Sequence, residues 1–158
     1  MTAVVPARPT DVRVIAALTE EMDRFYGATE FEALDTRISQ ITDAVFGHPP
    51  AAHVLLASNG SRPVGFASYS FLWPAVGLTK SLYLKELYVT ESARRSGIGR
   101  LIMRKLFDVA RERGCSRVEW TTDRGNPDAQ QFYESIGMRE NASKIFYRLD
   151  GGGLGGQE

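Results

Sequence analysis

A single cysteine, Cys115, among 158 residues allows no internal disulfide and no cysteine-rich zinc site, which fits a reducing compartment. Histidine is almost as scarce: His48 and His53 flank Pro49-Pro50 without a companion ligand set, so no metal site is expected. No apolar run approaches the roughly 20 residues of a membrane span. The opening stretch, MTAVVPARPTDV, lacks the basic start and apolar block of a secretion signal. A cytoplasmic protein without membrane partners is expected. Excess charge is missing too: 19 Lys and Arg balance 19 Asp and Glu, which excludes a broadly basic nucleic-acid binder.

What is present is an ordinary globular composition, 43% hydrophobic and 24% charged, at the size of one domain. The zero net charge hides an asymmetry. Residues 94–117 hold eight bases and two acids, whereas residues 1–50 hold four bases and eight acids. Residues 118–158 hold four bases and seven acids. Residues 1–150 are expected to form one domain. The tail at 151–158, GGGLGGQE, has no periodic apolar pattern and is expected to be disordered.

Strand and helix patterns alternate along the chain. Ala3–Ala7 is a short strand candidate. Pro9-Thr10-Asp11 precedes a helix carrying Val14, Ile15, Leu18 and Met22 at helical spacing. A second helix is expected from Glu30 to Phe46, on the stripe Leu34, Ile38, Ile41 and Val45. His53–Ser58 and Pro63–Phe71 read as two strands around Asn59-Gly60. Ser81–Val89 is a further strand, followed by a basic glycine loop and a helix that Gly114 stops. Ser116–Thr122, a helix opened by Asn126-Pro127-Asp128, and a last strand at Lys144–Leu149 complete the pattern. Successive strands lying beside each other in sequence argue for a mixed α/β fold. The expectation is a mostly antiparallel central sheet of six to seven strands flanked by four helices.

The loop Arg94-Arg95-Ser96-Gly97-Ile98-Gly99-Arg100 lies between a strand and an amphipathic helix, with Ile98, Ile102, Leu106 and Val109 inward and Arg100, Arg104 and Arg111 outward. Glycine lets backbone approach a ligand, a helix N-terminus offers unpaired N–H groups, and three arginines add charge. That combination suits a pyrophosphate. It is neither a P-loop, since Arg100-Leu101 follow Gly99, nor a Rossmann fingerprint, since Ile102 stands where the third glycine belongs.

The spacing Arg-x-x-Gly-x-Gly after Leu87-Tyr88-Val89 resembles the GCN5-related N-acetyltransferases, and so do Asn126, Ala129, Phe132-Tyr133-Glu134 and Gly137-Met138 downstream. Upstream, Phe46-Gly47-His48-Pro49, His53, Val64-Gly65-Phe66-Ala67, Tyr69, Phe71 and Tyr83-Leu84 resemble the spermidine/spermine and thialysine acetyltransferase branch. The resemblance implies acetyl-CoA as co-substrate, a strand end splayed to receive it, and a homodimer. It places the donor on the backbone of Leu87, Tyr88 and Val89 and on Arg94, Arg95, Ser96, Gly97, Ile98, Gly99 and Arg100, with Asn126 on the cofactor arm. Tyr133 matches the tyrosine that protonates the departing thiolate and touches the cofactor there. A phenol of pKa about 10 can do this for a thiol of pKa about 8.5.

An amine of pKa about 10 must also lose a proton before it attacks. The branch uses a glutamate on the strand before the loop, and Lys85 occupies that position here. Glu86 is the neighbouring candidate base, but alternation turns it to the other face unless a bulge re-aims the strand. Deprotonation through ordered water is the alternative. Lys85 would repel a polyamine and welcome an acid group on the acceptor. With Trp73, Tyr26 and Tyr83 it is a candidate substrate contact. The expected function is therefore N-acetyltransfer to the primary amine of a small molecule, an amino acid or antibiotic-like amine carrying an acid group. Polyamine acetylation is one alternative, sustained by Glu20, Glu21, Asp23, Glu30 and Glu32. Acetylation of a protein N-terminus or lysine, and a coenzyme A sensor without catalysis, are the others. Cys115 reads as a small buried filler.

Overall fold

Apolar residues three and four apart dictate the first helix: Val12, Ile15, Ala16, Leu18 and Met22 are the buried stripe of α1 (Val12–Phe25). The Arg8 N–H donates to Asp11 Oδ2 at 2.8 Å in the turn that leads into it. The computed structural model describes residues 1–155. Gly27, at φ +98°, lets the chain turn out of the helix. The second helix, α2 (Leu34–Phe46), starts at Leu34 and not at the expected Glu30. The residues before it are held by other contacts, since Phe31 packs against the guanidinium groups of Arg24, at 4.4 Å, and Arg37, at 6.0 Å. Arg37 also donates to the Ala16 carbonyl at 2.6 Å and so joins α2 to α1.

Among the described residues five strands form one sheet in the order of the sequence, against the six or seven expected. They are β1 (Thr2–Pro6), β2 (His53–Asn59), β3 (Arg62–Leu72), β4 (Lys80–Val89) and β5 (Cys115–Trp120). The first four pair antiparallel, and β5 lies parallel to β4 after the crossover helix α3 (Ile98–Glu112). The mixed, mostly antiparallel α/β fold is the one expected. Gly60, at φ +63°, makes the tight β2–β3 turn.

Cross-strand partners share a face, so the ladder sorts the core into two layers. Leu55, Ala67, Leu82 and Leu84 belong to one face. Helix α3 covers this face with Ile98, Ile102, Met103, Leu106 and Ala110. Gly65 makes the close approach possible: a Cβ there would sit 2.7 Å from the Tyr88 carbonyl oxygen and 3.4 Å from Ile102 Cδ1. Val54, Leu56, Phe66 and Tyr88 belong to the other face and pack against Ile15, Leu18 and Met22 of α1. These elements make up the compact unit Met1–Thr121.

The second unit, Thr122–Glu158, contains the helix α4 (Pro127–Ser135). Asn126 caps it, its Oδ1 accepting the Ala129 N–H at 3.2 Å. Gly137, at φ +90°, ends it in a Schellman turn, with Gly137 N–H on the Glu134 carbonyl at 3.0 Å and Met138 N–H on the Tyr133 carbonyl at 2.9 Å. The strand expected at Lys144–Leu149 does not form. Among the described residues no ladder pair extends beyond Trp120, and Ile145, Phe146 and Tyr147 are 77%, 64% and 84% exposed. A strand needs a neighbouring strand to satisfy its backbone, and none pairs with this segment among the described residues. In the tail, Gly151–Leu154 winds into one helical turn. Residues 156–158 lie outside the described residues.

Candidate active site

The strongest feature is an opening in the sheet. Strand β5 pairs with β4 only from Lys80 to Leu84, whereas β4 stays paired with β3 as far as Val89. The second half of β4 therefore has one edge without β5. Backbone groups alternate between the edges of a strand. The Thr90 N–H donates to Val64 on β3 at 2.9 Å, which turns Val89 and Leu87 toward the open edge and Tyr88 toward β3. Of the three backbone positions expected there, Leu87 and Val89 face the opening.

The glycine loop follows directly. Arg95 and Gly97 both have positive φ, at +63° and +86°, and Gly97 is the residue before α3. The first helical bond that Gly97 accepts comes from Leu101 at 3.1 Å, so the N–H groups of Ile98, Gly99 and Arg100 belong to the unsatisfied first turn. Arg95, Ser96, Gly97 and Arg100 are exposed, while the Ile98 side chain is buried in the core beneath them. Donors converging at the start of a 15-residue helix, beside two exposed arginines, are suited to a phosphate group.

Arg94 is used differently. Its Nε donates to the Val89 carbonyl at 3.0 Å, and its guanidinium carbon lies 4.1 Å from the Phe25 ring centre and 5.5 Å from that of Tyr88. Burial, followed by the hydrogen bond and the charge of Glu21, pushes the Tyr88 phenol up to about 12, with Arg94 opposing. Glu21, read among the acids that sustain a polyamine acceptor, and Phe25 were not legible as partners of Arg94 and Tyr88. Their signal is the helical spacing that sets them one and two turns beyond Ala17 and Leu18, at the end of α1 nearest the loop.

The ladder contains the bulge on which the Glu86 reading depended. Leu84 pairs with Tyr69 and Glu86 with Ser68, which leaves Lys85 as the extra residue. Lys85 is exposed, and Glu86 shares a face with Tyr83, Ser68 and Tyr88. Of the other candidates, Tyr26 ends α1 with its ring edge-on to Phe25 at 5.2 Å, so it belongs to the neighbourhood of Arg94. Trp73 does not. It precedes the far end of β4, about 30 Å from the glycine loop at about 3.3 Å per residue, and its Nε1 donates to Leu78 at 2.9 Å within its own loop. In the second unit Asn126 has its Oδ1 in the helix cap, and Tyr133 lies on α4 with its ring 5.2 Å from Phe132.

Comparison with known proteins places this geometry. The Acetyltransferase (GNAT) family matches residues 15–138. The thialysine N-epsilon-acetyltransferase of Mus musculus is 28% identical over 160 residues, covering 92% of this chain and 90% of the mouse protein. A D-amino-acid N-acetyltransferase of Saccharomyces cerevisiae is 33% identical over 88 residues, 56% of this chain and 53% of its own. Among solved structures, an integron cassette protein from the mobile metagenome of V. cholerae superposes with a TM-score of 0.85 at 28% identity, covering 98% of this chain and 96% of that one. The chain belongs to the acetyltransferase (GNAT) family and is an N-acetyltransferase, near the thialysine branch.

Proposed function

We propose that the chain transfers the acetyl group of acetyl-CoA directly to the primary amine of a small molecule, as one domain spanning residues 1–150. The observation that carries this reading is the release of β4 from β5 after Leu84, beside a phosphate-suited loop. The residues fit such a donor. Leu87 and Val89 offer N–H groups for the thioester carbonyl and the arm. Arg95, Ser96, Gly97, Ile98, Gly99 and Arg100 suit the pyrophosphate. Asn126 on the arm and Tyr133 as the acid rest on the motif resemblance. Glu86 takes the proton of the attacking ammonium group. The new C–N bond then forms as the C–S bond breaks, Tyr133 gives its proton to the departing thiolate, and the second proton of the acylated nitrogen returns to the Tyr133 oxygen to leave the neutral amide.

The acceptor is an amino acid or antibiotic-like amine with an acid group, since the exposed Lys85 favours an anionic substituent. The relatives acting on thialysine and on D-amino acids support this class. The acids that kept a polyamine in view are partly engaged. Glu20 lies 3.5 Å from Arg24 and 3.7 Å from Arg37, and Glu21 pairs with Tyr88. A thiol-release assay over amino acids, aminoglycosides, polyamines and peptides tests the reading. Release with amino acids or aminoglycosides is expected. Tight acetyl-CoA binding without release to any amine would make the chain a sensor, and release only with polyamines or peptides would overturn the acceptor.

A cytoplasmic homodimer is the second proposal. It is supported by the exposed apolar side chains of Ile145, Phe146 and Tyr147, which need a covering surface. Light scattering at micromolar concentration should give twice the 17.5 kDa chain mass. A monomer would overturn it.

A further inference from the structure

We propose that Arg94 is a positioning residue for the open edge of β4 and not a ligand of the donor's phosphates. The inference rests on the proposed placement of acetyl-CoA along that edge. The three arginines of the loop are not equivalent. Arg95 and Arg100 are exposed, whereas Arg94 is half-buried and turned back onto the strand. Its Nε is bonded to the Val89 carbonyl at 3.0 Å, and its planar group rests on Phe25 at 4.1 Å. Tyr88 and Glu21 complete the contact, so one guanidinium joins the end of β4 to the last turn of α1.

The placement has a chemical consequence. The N–H and C=O of Val89 point to the same edge. A bare carbonyl there would repel the thioester carbonyl oxygen that the neighbouring N–H groups are to hold. Arg94 occupies that acceptor with a charge-assisted hydrogen bond, so at Val89, the end of the edge, the backbone presents its N–H alone. It also fixes the strand end laterally, where about 1 Å of displacement can cost about a hundredfold in rate. Arginine is required for this. Lysine has neither the Nε placed along the stem nor a planar face to stack on Phe25.

The test compares two donors, acetyl-CoA and S-acetyl-pantetheine, which has the thioester arm without the nucleotide and its pyrophosphate. Arg94→Gln should lower kcat by about tenfold to a hundredfold with both donors and by the same factor. Coenzyme A affinity should stay within about threefold, and Arg94→Lys should fail to restore kcat. Arg100→Gln should instead weaken acetyl-CoA more than the truncated donor. If Arg94→Gln raises the KM for acetyl-CoA alone, Arg94 is a phosphate ligand and the inference is wrong. A wild-type protein that acetylates nothing would instead remove the functional reading beneath it. Phe25→Leu guards against misfolding of the Arg94 variants, because Phe25 is half-exposed and its loss removes the stack on Arg94 and the ring contacts with Tyr26 and Tyr88 while keeping an apolar side chain. A smaller loss of kcat, equal for the two donors, is expected, and an unchanged kcat overturns the proposal.

Discussion

Glu86 stands opposite Ser68 in the β3–β4 ladder, although Leu84, two residues earlier, stands opposite the adjacent Tyr69. One residue of β3 is thus bridged by two of β4, and the parity of the strand changes at Lys85. Without the bulge Glu86 would share the face of Leu84, beneath α3. With it, Glu86 joins Tyr83 and Tyr88 on the face toward α1. The position at which the related branch carries its glutamate thus holds the bulged lysine, and a carboxylate is re-aimed one residue later.

A carboxylate acting as base in this place has a specific signature. Glu86→Gln should reduce kcat by about a hundredfold or more, the usual scale of general-base loss. Coenzyme A binding should stay close to that of wild type. Steady-state rates with the best amine, together with calorimetric titration of coenzyme A, separate the two quantities. A rate within threefold of wild type would assign deprotonation to water.

Tyr133 can be tested with little disturbance of its backbone. Its carbonyl already accepts the Met138 N–H at 2.9 Å in the turn that ends α4, and this bond survives replacement of the phenol. Tyr133→Phe should lower turnover by about a hundredfold while leaving acetyl-CoA affinity within a few-fold. Unchanged turnover would remove Tyr133 as the acid.

The reading from sequence succeeded where a feature is local and periodic. The apolar spacing of α1 and α3, the Asn59-Gly60 turn and the Asn126 cap each declare themselves within a few residues. Even there the register of α3 shifted slightly, with Met103 and Ala110 buried and Val109 only partly so. Features that depend on pairing were less legible. The bulge at Lys85 exists only relative to Tyr69 and Ser68, which lie on another strand. The segment Lys144–Leu149 has the composition of a strand, but composition cannot supply the neighbouring edge it needs. Arg94 looked like its two loop companions because the residues that turn it back, Glu21 and Phe25, lie some 70 positions earlier in the chain.

Gly65 is predicted to be a packing requirement. A methyl group at this position would meet the Tyr88 carbonyl oxygen at 2.7 Å, and backbone cannot swing aside as a flexible side chain can. Gly65→Ala should cost about 1–3 kcal/mol, the range for overpacking a tight core. Urea unfolding should show a lower midpoint with an unchanged slope. An equal or higher midpoint would mean that β3 and α3 separate without penalty.

Tyr88 should leave a mark on the pH dependence of stability. Burial and Glu21 raise its phenol from 10.0 to about 12 in the folded chain. The unfolded chain therefore loses this proton first as the pH rises. Between about 10 and about 12 the folded state binds more protons than the unfolded one, so stability falls with rising pH across that window. Below 10 both states are protonated and the contribution is constant. Tyr69 is raised by its burial as well, against the opposing charge of Arg113, so the wild-type curve contains more than one tyrosine. The informative quantity is the difference from Tyr88→Phe, which removes the ionising group but keeps the ring beside Phe25 and Arg94. Urea unfolding at steps from pH 8 to pH 11 should show wild type losing stability more steeply above pH 10 than the variant. Parallel curves would mean that Tyr88 titrates alike in both states, and that its contact with Glu21 does not hold the phenol neutral.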